Sequence, residues 1–406
     1  LGDADTIPKA AVAMASTVPA AVAVAFGFLL AWRLSANAEA SLRAALALAF
    51  GTLLWPYGKF GFNAALACAA LSSGVYGVGV GTLTRRIGLL AAGGAALGFA
   101  MLTRHELSLA AAVCLLWLSW QVRTDTRRIA LMLAGAAGVV VAAGVSMALN
   151  VSRFGDPFFA GHRPVFSLAG ALAFLISPSG ALLLYSPVAV AAVALIPRAF
   201  KGDPLSLLLL LVSAVMGGFY ASLDDWLGTR SYGPRYLVPL LPMLVAPFAL
   251  WWTRARRPAL RLALVTLSAA SVLVQLPAVA VDFSRAGIAA GQPPQTERRD
   301  QWRWSPLRIN TLSALEAIPA NVRYFAGLEP APAAAAPRGS SISQRVAFSL
   351  DFWWLYLFYV GAIGRSMAVA LAVVPLVVAA FLLRAASRHT RACTTATAVG
   401  LDRWRQ

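Results

Sequence analysis

The feature that most restricts this chain is a repeat of apolar stretches of roughly 16 to 23 residues, the length of a helix that crosses about 30 Å of hydrocarbon. Short polar connectors separate them. They fall at 10–30, 40–57, 63–83, 87–103, 106–122, 128–149, 181–196, 205–222, 236–252, 260–281 and 364–384. The expected fold is therefore all-α, a polytopic membrane helix bundle of about 11 spans. A further apolar run, Phe166 to Ile176, is too short to cross and ends in Ser177-Pro178-Ser179-Gly180, which suits an interfacial or re-entrant helix.

Composition agrees, with 59% hydrophobic residues, 12% charged and a mean hydropathy of +0.72, outside the range of soluble domains. The net charge of +18 comes from Arg and Lys that flank the apolar stretches. It follows topology and not a phosphate-backbone footprint, so no nucleic-acid partner is expected. Cys68, Cys114 and Cys393 have no paired spacing, and His105, His162 and His389 are scattered, which argues against a disulfide framework or a zinc site.

Sidedness follows from the basic residues. The clusters Arg85-Arg86, Arg123 with Arg127-Arg128, Arg254 to Arg261 and Arg384 to Arg405 share one set of alternate connectors. With Arg33, Arg43, Arg198 and Lys201 that set holds 18 basic residues, against 7 in the opposite one (Lys9, Lys59, Arg104, Arg153, Arg163, Arg230, Arg235) when the long loop at 282–363 is left aside. The C-terminus is expected in the cytoplasm of a bacterium, beneath its inner membrane, and most acids then face outward. Eleven spans place the N-terminus outside, so a further span is expected upstream of Leu1. Residues 1–281 form the bundle, 282–363 an outer loop region, and 364–406 the last span with a basic tail. Within the loop, RWSPLRINTLSALEAI at 303–318 offers one short helix, APAAAAPRGSSIS at 331–343 a linker, and DFWWLYLFY at 351–359 an aromatic belt.

Five segments in register carry a resemblance: LLWPYGKFGFNAAL at 53–66, LTRHE at 102–106, NVSRFGDPFFAGH at 150–162, ISPSGALLLYSP at 176–187 and GTRSYGPRYLVPLLPML at 228–244. Together they resemble bacterial integral-membrane glycosyltransferases of the GT-C fold. These are the polyprenyl-phosphate-sugar-dependent enzymes grouped with protein mannosyltransferases and the lipid A aminoarabinose transferase. The resemblance implies transfer from a polyprenyl-phosphate sugar donor to a lipid or glycan acceptor among membrane lipids. It also implies a catalytic acid on the first outer loop, and this sequence begins just after that loop. Asp3 and Asp5 are its candidate remnant.

Such chemistry needs a carboxylate for the acceptor, cations for the departing phosphate and a groove for the lipid. Asp224, Asp225 and Glu106 are the catalytic candidates, with a divalent cation the one candidate cofactor and its ligands unassigned. Arg104, Arg230, Arg235, Lys59 and His105 are the phosphate candidates. Tyr57, Tyr232, Trp226, His162 and Arg163 are candidate lipid or sugar contacts, with Trp353 and Trp354 further stacking candidates. Each has a plainer alternative: snorkelling arginines, headgroup-level Lys59, a solvated Asp224 and an interfacial aromatic belt. A transporter or lipid flippase built from the same helices, and an inactive transferase fragment, are the competing readings.

Overall fold

A computed structural model describes residues 15–60, 63–158, 168–223, 231–291, 301–328, 350–359 and 363–403. Among the described residues the regular structure is helical, without a strand. The chain opens with α1 (Thr17–Ser35), a left-handed turn at Ala36 and α2 (Ala38–Phe50), whose first turn is capped by Asn37 Oδ1 accepting from the Ala40 N–H at 2.8 Å. Then follow α3 (Leu54–Lys59), α4 (Ala64–Thr84), α5 (Ile87–Thr103), α6 (Ser108–Val122) and α7 (Arg128–Phe154). Next come α8 (Leu168–Ile176), α9 (Leu182–Tyr185), α10 (Leu195–Phe200) and α11 (Pro204–Ala221). The segment from Arg235 to Arg254 runs through a 3-10 turn, α12 (Leu241–Val245) and α13 (Phe248–Arg254). The chain continues with α14 (Pro258–Ala280), α15 (Phe283–Ala289), α16 (Pro306–Phe325), α17 (Trp353–Tyr359) and α18 (Arg365–Arg403).

Among the described residues eight helical segments are long and apolar enough to cross a membrane: Thr17–Ser35, Ala64–Thr84, His105–Val122, Arg128–Phe154, Pro204–Ala221, Arg235–Arg254, Pro258–Ala280 and Arg365–Arg388. Ile87–Thr103 and Pro187–Phe200 are apolar but shorter. The chain is thus multi-pass in character.

Three expected spans are not continuous helices, and one of them, 236–252, is the 3-10, α12 and α13 segment given above. The stretch 40–57 breaks at Gly51, where Thr52 Oγ1 donates to the Leu48 carbonyl (2.7 Å) and accepts from the Leu54 N–H (3.1 Å). That hydroxyl competes with the helical ladder, and Ser186 Oγ accepts the Leu53 N–H left over (3.2 Å). The stretch 181–196 breaks at Pro187, which has no N–H to donate, into α9, a 3-10 segment over Pro187–Ala194 and α10. Ser271 Oγ takes up the Val188 N–H at 3.0 Å. The short apolar run ending at Ile176 is helical from Leu168 as the nine-residue α8, and the expected short loop helix is the 20-residue α16. The 331–343 linker lies outside the described residues.

Glycine brings α4, α5 and α7 close. A Cβ added at Gly77 would stand 2.5 Å from the Gly93 Cα, and Cβ atoms at Gly94 and Gly98 would overlap the carbonyls of Gly135 and Gly138. Lipid tails are as apolar as the helices, so close backbone approach and dispersion hold such a seam. Arg85 Nε pairs with Asp125 Oδ2 at 2.8 Å, fixing the starts of α5 and α7 at one level.

Candidate functional site

From that common level, helix length decides the shape of the opposite end. With about 1.5 Å of rise per residue, the 17 residues of α5 climb about 26 Å and the 27 of α7 about 40 Å. α5 stops at Thr103, where the chain turns through extended Arg104 into a 3-10 turn at His105–Leu107 and descends as α6. The last turns of α7 overhang this step. The hollow is a cavity of about 840 Å³, and Arg104, His105, Glu106, Ser146, Asn150, Arg235 and Tyr236 are among its polar lining. Met101, Leu109, Met147, Phe154, Phe158 and Phe219 supply an apolar wall.

Arg104 is buried, 7% exposed, and its Nε and Nη2 both reach Glu106 Oε1, at 2.8 and 2.6 Å. Its guanidinium also lies 5.4 Å from the Tyr220 ring and 4.9 Å from the Tyr236 ring, which stack on one another at 5.6 Å. Burial opposes its charge, but Tyr220, Glu106 and Tyr236 outweigh burial and raise its pKa. Arg235 flanks the other side of Tyr236, 5.1 Å from the ring, and its Nη2 donates to the Tyr236 hydroxyl at 3.3 Å. One phenol ring therefore carries two guanidinium groups. Glu106 pairs with the deeper one. His105 Nδ1 sits 3.1 Å from Ser146 Oγ, joining the turn to α7.

Arg235 owes its position to the turn before it. Gly233 takes φ +67, and a Cβ there would stand 2.6 Å from Tyr185 Cγ, so only glycine fits. Tyr57 closes the turn from behind: its hydroxyl accepts from the Tyr232 N–H (3.2 Å) and donates to the Tyr232 carbonyl (3.3 Å). The Tyr232 hydroxyl donates to the Val274 carbonyl, and the Tyr185 and Tyr232 rings meet edge to face at 5.0 Å. Burial pushes the phenols of Tyr57 and Tyr232 up from their ordinary pKa.

The expected site is thus partly assembled. Arg104, His105, Glu106 and Arg235 line one cavity. Tyr57 and Tyr232, expected as lipid or sugar contacts, are instead fully buried framework residues: the Tyr57 hydroxyl is spent on the Tyr232 backbone and the Tyr232 hydroxyl on the Val274 carbonyl of α14. Lys59, expected at the donor phosphate, lies outside the cavity lining. Its Nζ donates to the Val279 carbonyl at 2.6 Å and pairs with Asp351 Oδ2 at 3.0 Å. Burial lowers its pKa more than Asp351 and Asp282 raise it. Asp224, Asp225, Trp226, Arg230, His162 and Arg163 lie outside the described residues. Trp353 is half exposed on α17, its ring edge-on to Trp354. Among the described residues no group of three or more His, Cys, Asp or Glu could hold a metal.

Sequence reasoning missed Tyr220, Tyr236, Ser146 and Asn150. The last two carried a signal, a polar pair four residues apart near the end of an otherwise apolar helix, which marks one face. Tyr220 carried none, since an aromatic at a span end is ordinary in membrane helices. No protein-family model matches the chain, and no curated protein or solved structure matches it.

Proposed function

We propose that this chain is a GT-C-type glycosyltransferase of a bacterial inner membrane, working on its outer face with the C-terminus in the cytoplasm. It would move a sugar from a polyprenyl-phosphate donor to a lipid or cell-envelope acceptor. The supporting observation is the two-walled cavity, which joins Arg235, Arg104 and Glu106 to an apolar wall of Met, Leu and Phe. A phosphodiester with a prenyl tail has the same two-part character, an anion beside a long hydrocarbon.

In this reading the donor phosphate sits at Arg235, whose planar fork suits phosphate oxygens. An acceptor oxygen attacks the anomeric carbon as the bond from that carbon to the phosphate oxygen breaks. The bonding pair leaves with the phosphate, where Arg235 meets the growing charge. The acceptor proton goes to a carboxylate: Asp224 or Asp225, or Glu106 through Oε2, since Oε1 faces Arg104. Arg104 then acts on position, holding Glu106 and Tyr236. Attack opposite the leaving phosphate inverts the anomeric centre.

The test is sugar transfer by the full-length polypeptide in nanodiscs with radiolabelled polyprenyl-phosphate sugars. Transfer is expected, and Arg235→Ala should lower it about 10²-fold or more, the usual effect of deleting one transition-state donor. Label that crosses the bilayer unchanged, with no glycosylated product from any donor, would overturn the reading in favour of transport.

A further inference from the structure

α16 carries one wide apolar arc, and only part of it is covered. Asn310, Ala314, Ala317 and Asn321 are buried on the side where Ala314 and Ala317 pack with Val281 and Ala286. Leu315, Ile318 and Val322 are open, at 63%, 44% and 62% exposure. At about 100° per residue the open stripe does not lie opposite the buried one but continues it, forming one apolar arc of roughly 160°. Arg308, Glu316 and Arg323 lie in the remainder, with half-exposed Leu312 among them. A helix whose apolar arc is half seated on protein and half uncovered sits at an edge where two apolar media meet.

Depth and charge say what the second medium is. The Tyr185 hydroxyl accepts the Leu307 N–H at 3.3 Å and meets Ser305 Oγ at 3.1 Å, and the Tyr185 carbonyl accepts from Gln275 Nε2 at 2.6 Å. Gln275 lies in the last turns of α14, so Tyr185 ties the start of α16 to the cavity end of that span. α16 then runs past Val281 and Ala286 at the rim of the bundle. Residues 301–328 carry Arg303, Arg308 and Arg323 against Glu316 alone, and Trp302 is half exposed beside them. Basic residues and tryptophan flanking an apolar stripe at this level match the headgroup boundary of an anionic bilayer.

We propose that α16 docks Leu315, Ile318 and Val322 into the bilayer leaflet at the cavity end, with Arg303, Arg308 and Arg323 on anionic headgroups. This does not depend on the transferase reading. The test keeps Cys68 and Cys114, which are buried, replaces Cys393 with Ser, and introduces single cysteines at 308, 315, 316, 318, 322 and 323 for an environment-sensitive dye. Each is placed in nanodiscs of phosphatidylcholine, or of equimolar phosphatidylcholine and phosphatidylglycerol, with plain or brominated acyl chains. Bromine quenching at 315, 318 and 322 should be several-fold stronger than at 308, 316 and 323, and stronger still with phosphatidylglycerol. Uniformly weak quenching would place the stripe in water. A shielded but unquenched dye would place another segment or a second copy on it, and either result overturns the proposal. On the unaltered protein, photoactivatable phosphatidylglycerol should label residues 306–325, and a label confined to the spans would refute docking.

Discussion

The glycine seam under the cavity permits a matched test on one helix. Gly138 and Gly144 both lie on α7, yet their surroundings differ completely. A Cβ at Gly138 would stand 2.5 Å from the Ala95 nitrogen, whereas ordinary contact begins near 3.4 Å, so α5 and α7 must part by about 1 Å. The obstacle is backbone, which cannot rotate away as a side chain can. Overpacking of this kind costs about 1 to 3 kcal/mol. A Cβ at Gly144 would meet nothing within 4 Å, so only the Gly-to-Ala helix preference acts, stabilising by up to about 1 kcal/mol. The helix preference acts on both variants and cancels between them, so Gly138→Ala should be less stable than Gly144→Ala by about 1 to 3 kcal/mol, the overpacking cost alone. Thermal unfolding can be followed with a thiol-reactive dye, because Cys68 and Cys114 are fully buried and become reactive only when the bundle opens. Equal shifts for the two variants, or a higher Tm for Gly138→Ala, would refute the reasoning. In the expected case Gly138→Ala should also weaken the 3.1 Å contact between His105 and Ser146, since α7 carries one partner and the turn the other.

Tyr57→Phe keeps the ring but strips both hydrogen bonds from the buried Tyr232 backbone, and should cost about 1 to 3 kcal/mol by the same assay. Gly233→Ala combines a left-handed φ with overlap on Tyr185 and should cost more than Tyr57→Phe; a smaller loss would contradict the turn geometry. Burial holds the folded pKa of Lys59 below the ordinary 10.5, so between the two values the unfolded chain binds the extra proton. The contribution of this group to stability therefore rises as pH climbs from the folded pKa to 10.5 and is flat outside that window. Lys59→Met should remove that rise from a plot of Tm against alkaline pH, and an identical slope in both proteins would count against it.

How much of this was legible in the sequence depended on which force governed each element. Long apolar runs such as Ala64–Thr84 and Pro258–Ala280 were readable because length and hydropathy alone decide them. The break at Gly51 was not, because Leu53 is satisfied by a hydroxyl from a distant segment, Ser186; Pro187 marked its own break, and only the Ser271 hydroxyl that takes up the Val188 N–H was hidden. The convergence of Arg104 with Arg235 could be guessed, since both lie in connectors assigned to one side of the membrane. Their shared ring could not, because the pairing of Tyr236 with Tyr220 is set by packing across 16 positions of chain. Tyr57 and Tyr232 misled the sequence reading for a related reason. A tyrosine at an interface and a tyrosine that caps a buried turn look alike until the partner carbonyl is seen.

The short climb of α5 has a consequence for the lipid itself. Its rise of about 26 Å falls a few ångströms short of a hydrocarbon core about 30 Å thick, while its neighbour α7 overshoots that thickness by about 10 Å. Hydrophobic mismatch of this kind is relieved by local thinning of the membrane. The charged turn at Arg104 would then lie at the bottom of a dimple, with the thinned leaflet drawn down toward it. A headgroup diffusing in that leaflet would arrive already level with the guanidinium groups, so the distance it must leave the membrane to reach them is set by the length of one helix.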